Sequence, residues 1–127
     1  MAITSVQTLV QAAKAEIETL PFDVVRRGVA DEAMLLVDIR DVRELEREGR
    51  IPGAFHAPRG MLEFWIDPES PYHKAALATD RKLVLFCASA WRSALSVKAL
   101  RDMGVPDIAE LEGGFANWRD RGGAVER

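Results

Sequence analysis

The stretch Lys82-Leu83-Val84-Leu85-Phe86-Cys87-Ala88-Ser89-Ala90-Trp91-Arg92-Ser93 changes character halfway along, and that change decides the fold. Residues 82–86 form a short, nearly continuous apolar run, the pattern of a strand buried on both faces of a parallel sheet. Small side chains follow, and residues 92–103 then carry a helical pattern that Gly104 ends, with Pro106 just beyond. Strand, loop and helix make one crossover unit. The same unit recurs on either side. Upstream, Met34-Leu35-Leu36-Val37 ends at Asp38, after which Asp41 and Glu44 form a D-x-x-E capping signal and Gly49 closes a helix of about two turns. Downstream, residues 108–111 suit a strand, and residues 115–121 a short helix entered through Gly113-Gly114. Strands alternating with helices imply an α/β fold of three layers, a parallel sheet with helices on both faces.

The rest of the chain fits around these units. Thr4 with Gln7 three residues on has the form of a capping box, and Val6, Leu9, Val10, Ala13, Ile17 and Leu20 recur at helical spacing until Pro21. An amphipathic helix over residues 5–20 is expected. Residues 22–28 suit another helical turn stopped by Gly28, although the β-branched pair Val24-Val25 leaves this open. Ala54-Phe55-His56-Ala57 allows a very short strand. Residues 59–79 hold Phe64, Trp65, Pro68, Pro71 and Tyr72 without periodicity, which suggests a long excursion packed over one end of the sheet.

The 127 residues, 48% of them apolar, fit a single domain over 1–127, because one core of this size is expected from roughly 100–200 residues. Seventeen Lys and Arg against twenty Asp and Glu give a net charge of −3, no field for gripping nucleic acid or an anionic membrane. Residues 1–13 carry no charge but are broken by Thr4, Ser5, Gln7, Thr8 and Gln11, so neither a membrane span nor a secretory signal is read there. A cytoplasmic protein is expected. The single cysteine, Cys87, has no internal disulfide partner, and with only His56 and His73 beside it no metal-ligand set is evident.

Cysteine chemistry must therefore rest on one thiol. Cys87 stands where a strand gives way to a helix, the end of an open α/β sheet at which ligands bind. Backbone N–H groups of such a loop and the positive end of the helix dipole favour an anion, here the nucleophilic thiolate. Arg92 adds a permanent charge and a fork of donors. The competing reading is that Cys87 is merely the last buried residue of its strand. The small residues Ala88, Ser89 and Ala90 favour function, since they let backbone approach a ligand closely. Trp91, alone among them in size, is expected to shape the mouth of the pocket and to screen an acceptor. Asp38 and Arg40 read as scaffold that satisfies loop amides and each other. His56 reads as a hydrogen-bonded side chain, His73 as exposed, Gly113-Gly114 as a tight turn and Trp118 as core.

Three separated stretches resemble the rhodanese family of sulfurtransferases: Asp38-Ile39-Arg40 leading into Gly49-Arg50-Ile51-Pro52-Gly53-Ala54, then Cys87-Ala88-Ser89-Ala90-Trp91-Arg92-Ser93, then Leu111-Glu112-Gly113-Gly114 followed by Trp118. Their order and spacing match across residues 31–127, leaving an N-terminal helix within residues 1–21 outside the motif-bearing core. The segment from Pro58 to Trp65 looks like an insertion found in one group of single-domain members. The resemblance implies a five-stranded parallel sheet and a catalytic Cys87 that carries a persulfide, with Ala88, Ser89, Ala90, Trp91, Arg92 and Ser93 binding substrate. The implied donor is a small sulfur-containing anion such as thiosulfate, or a persulfide. The implied acceptor is cyanide or a thiol, and a protein can serve as either. No metal or organic cofactor is required.

Ala88 stands where the family commonly has Arg, and Ala90 where it has Gly. The first change should weaken attraction for a dianionic donor. The second should strain or reshape the loop, because alanine resists a positive φ. Two other functions are weighed. Cysteine phosphatases and arsenate reductases place five residues between Cys and Arg, against the four here, and the smaller ring suits one sulfur better than a tetrahedral oxyanion. A non-catalytic or redox-sensing binding module is the other alternative, and retention of Cys87 and Arg92 argues against it.

Overall fold

The computed structural model describes residues 2–127. In chain order the elements are α1 (Val6–Glu16), β1 (Glu18–Leu20), α2 (Phe22–Ala30), β2 (Met34–Asp38), α3 (Val42–Glu48), β3 (Phe55–His56), α4 (Leu62–Ile66), β4 (Lys82–Phe86), α5 (Arg92–Asp102), β5 (Ile108–Leu111) and α6 (Gly114–Asp120). Single 3₁₀ turns lie at Arg59–Met61 and Ala75–Leu77. The five strands are all parallel, in the order β1-β5-β4-β2-β3. The expected five-stranded α/β architecture is therefore present.

Alternation along β4 explains the layers. Leu83, Leu85 and then Cys87 point to one face, where they meet Val97 and Leu100 of α5 and Leu62 and Ile66 of α4. Val84 and Phe86 point to the other, against Phe22 and Val25 of α2 and Phe115 and Trp118 of α6. Both faces are thus covered, which is why the strand reads as continuously apolar. A smaller cluster of Val10, Ala13 and Ala94 fastens α1 to α5.

The Asp41 and Glu44 capping box forms as expected, and Gly49 ends α3 at φ 89°. Asp38 and Arg40, both buried, pair through Nε–Oδ1 at 3.0 Å and Nη2–Oδ2 at 2.8 Å. Arg40 also donates to the Gly49 carbonyl and lies 4.1 Å over the Phe115 ring, tying the end of β2 to α3 and α6. The scaffold reading of the pair agrees with these contacts.

Four boundaries differ from expectation. The first helix ends at Glu16, and residues 18–20 are the edge strand β1, since Glu18, Thr19 and Leu20 pair with Ala109, Glu110 and Leu111. Leu20 continues the helical spacing of the residues before it, and pairing of residues 18–20 with β5 decides for the strand. The cap of α1 is Ser5, which accepts from Thr8 N, and not Thr4. Gly28 lies inside α2, where a Cβ would come within 2.4 Å of Met34 Sδ, so it serves close packing and does not stop the helix. Residues 59–79 contain α4 and the two turns, and their Leu62, Ile66 and Leu77 join the α5-side core instead of capping one end of the sheet. Among the described residues, no helix is long and apolar enough to cross a membrane.

Candidate functional site

Cys87 follows the central strand β4, and the loop to α5 folds back around its sulfur. Ser93 N donates to Sγ at 3.4 Å, and the amides of Ser89 and Ala90 turn toward the sulfur. Burial works against the thiolate. The amides, that of Ser93 first, outweigh it, and the thiol sits below its ordinary value. The convergence read from the sequence is present, and it comes from backbone geometry: Ala90 adopts φ 71°, which turns successive N–H groups inward.

The loop is held from behind by α6. Phe115 N donates to the Cys87 carbonyl at 2.8 Å and Ala116 N to the Ala88 carbonyl at 3.1 Å. Gly114, at φ 63°, permits this approach, because a Cβ there would lie 2.5 Å from the Cys87 oxygen. Gly113-Gly114 therefore does more than make a turn. It lets the start of the last helix grip the Cys87 loop.

Arg92 begins α5 and places both terminal nitrogens on Glu44, at 2.8 and 2.9 Å. These bonds hold the Glu44 carboxyl below its usual value despite partial burial. The charge expected to serve the loop is thus shared with the N3 residue of the α3 capping box. Trp91 is 47% exposed at the outer edge, and Ala88 directs its carbonyl away toward α6. Ser93 is fully buried, with its hydroxyl 3.7 Å from Sγ and 2.7 Å from Glu110 Oε1.

Glu44, Glu110 and Gly114 escape the sequence reading of the site. Glu110 does carry a signal, as the one ionisable residue in the apolar run Ile108-Ala109-Glu110-Leu111. His56 and His73 lie elsewhere, bonded to the carbonyls of Arg40 and Trp65. The His73 ring is thus part-buried and bonded, where the sequence predicts exposure. A larger hollow of about 580 Å³, lined by Ile66, Leu77, Met103 and Asp107 among others, opens where β4 begins, at the opposite end of the sheet from Cys87. The hollow and the Cys87 loop are thus at opposite ends of the sheet.

The model of the rhodanese-like domain matches residues 22–121. A sulfurtransferase of Allochromatium vinosum is 31% identical over 91 residues, covering 72% of this chain and 77% of that one. An uncharacterised protein of Bacillus subtilis (strain 168) is 32% identical over 83 residues, 65% of this chain, which spans only 59% of that relative. A solved structure of a protein of unknown function from Rhodopseudomonas palustris CGA009, named as a possible tyrosine phosphatase, superposes with a TM-score of 0.91 at 44% identity, covering 99% of this chain and 97% of that one. With a match over residues 22–121 and the same five-stranded parallel architecture, the chain belongs to the rhodanese-like domain family, which includes sulfurtransferases.

Proposed function

We propose that the protein transfers sulfane sulfur through a persulfide on Cys87. The observation that carries this reading is the set of amides from Ser89, Ala90 and Ser93 directed at the chain's one sulfhydryl, which lowers the thiol below its ordinary value. In the first step the Cys87 thiolate attacks the outer sulfur of a donor. A new S–S bond forms, the donor's bond to that sulfur breaks, and its electron pair leaves with sulfite or a thiolate. In the second step an acceptor, cyanide or a thiol, attacks the terminal sulfur, and the pair of the breaking S–S bond returns to Cys87. Negative charge moves between sulfurs under fixed dipoles, so neither a general base nor a cofactor is needed. Trp91, at the exposed rim, screens the acceptor.

Charge at the mouth points to the donor class. Ala88 contributes none and Glu44 offsets Arg92, so a persulfide, small or protein-borne, suits the site better than dianionic thiosulfate. The test is thiocyanate formation from thiosulfate or a persulfide donor with cyanide, beside Cys87→Ala. Loss of product and of the one-sulfur mass adduct in the variant is expected, and equal product from both proteins overturns the proposal. The phosphatase reading, favoured by the name of the Rhodopseudomonas palustris structure, meets a loop of only four residues between Cys87 and Arg92. Aryl phosphate turnover that vanishes in Cys87→Ser would establish it instead.

A further inference from the structure

Glu110 lies in the middle of β5, is fully buried and takes no part in the cycle above. Its Oε2 accepts from Lys14 Nζ at 2.7 Å and from Thr19 Oγ1 at 2.9 Å, and its Oε1 accepts from Ser93 Oγ at 2.7 Å. Ser93 Oγ also lies 3.7 Å from Cys87 Sγ, which donates to it. A hydroxyl has one hydrogen. Where the Glu110 carboxylate takes it, Ser93 faces the sulfur with a lone pair and can only accept from the thiol S–H.

We propose that Glu110 is a positioning residue that claims the Ser93 hydrogen, so that the hydroxyl stabilises the protonated Cys87 and opposes the loop amides. The proposal rests on Cys87 being the reacting group. The charged groups facing this pair are Lys14 from α1 and Arg92 from α5, the latter shared with Glu44 of α3. Lys14 and Thr19 belong to the N-terminal segment, outside the family match of residues 22–121. That segment therefore completes the electrostatics behind the sulfur: it holds Oε2 and leaves Oε1 for Ser93.

The thiolate's ultraviolet absorbance reads the titration directly, because Cys87 is the only cysteine and Cys87→Ser supplies the blank. Glu110→Gln removes a like charge and frees the Ser93 hydrogen for the thiolate. The midpoint should fall by on the order of one pH unit, since a charge this near typically moves a pKa by about 1–3 units. Ser93→Ala should raise the midpoint in the Glu110→Gln background but not in the wild type, where the hydrogen is already committed. A Glu110→Gln midpoint that stays or rises overturns the proposal, as does a rise on Ser93→Ala in the otherwise native protein. Should Glu110→Gln fail to fold by circular dichroism, the Ser93→Ala arm decides alone. Failure here leaves sulfur transfer by the wild type intact. Absence of sulfur transfer would remove the catalytic reading while the titration still reports on Glu110.

Discussion

Gly114→Ala tests whether α6 grips the Cys87 loop as tightly as its geometry requires. Two costs are expected. The residue sits at φ 63°, where a side chain costs about 1–2 kcal/mol. The added Cβ would also lie 2.5 Å from the Cys87 oxygen and 2.9 Å from the Ala88 carbonyl carbon and oxygen, so the backbone must separate. Separation weakens the Phe115 and Ala116 bonds to those carbonyls, each worth roughly 0.5–1.5 kcal/mol. Gly53→Ala isolates the conformational part, for Gly53 has φ 81° and a methyl added there would meet nothing within 4 Å. With an unfolding entropy of about 2.1 cal/mol/K per residue, each kcal/mol moves Tm by roughly 3–4 °C in a chain of this length. Gly53→Ala should lose roughly 4–8 °C and Gly114→Ala roughly 8–19 °C, by thermal melts followed with circular dichroism. Gly114→Ala should also slow persulfide formation, because the amides aimed at sulfur share the displaced loop. Equal losses of Tm would refute the grip.

Arg40→Met should cost about 3–5 kcal/mol in urea unfolding, since it leaves the Asp38 carboxylate buried without its partner; a loss below about 1 kcal/mol would mean Asp38 is relieved by another group. Glu44→Gln releases Arg92 and should lower KM for thiosulfate with kcat less affected, and an unchanged KM removes Glu44 as a brake on anionic donors. Arg92 depresses the folded-state pKa of Glu44, so the pair's stabilisation is in place above the ordinary carboxyl range and is lost as pH falls through the depressed value. The stability gap between wild type and Glu44→Gln should therefore narrow on acidification, and its size is limited by the partial exposure of Arg92.

Legibility in the sequence follows locality. β4 and α5 can be read because a buried parallel strand, a run of small residues and a Gly104 stop lie within consecutive residues. The cap of α3 can be read because both of its partners, Asp41 and Glu44, lie three residues apart. β1 cannot. Three residues form a strand only because β5 offers an edge more than eighty positions away, and their side chains are compatible with a last helical turn. Glu110 is similarly hidden: its partners Lys14, Thr19 and Ser93 come from three elements that only the sheet order brings together. The sulfur-facing loop is visible as residues, whereas the acid behind it requires topology.

The two departures from the usual family loop have unequal consequences. An alanine at position 90 should strain or reshape the loop. Ala90 occupies φ 71° and keeps its amide on the sulfur, so the shape is retained and the strain, about 1–2 kcal/mol, remains. Burial of Ala90 and the two bonds from α6 to the Cys87 and Ala88 carbonyls help to hold it there. Ala88 has no such compensation, because its backbone already faces α6 and its methyl supplies no charge toward the mouth. With Arg92 shared by Glu44, the rim offers little attraction to a dianion, while the inner amides are unaltered. Under the proposed function, the two changes act on donor recognition and leave the amides around the sulfur in place, so donor exchange should alter KM far more than the persulfide chemistry itself.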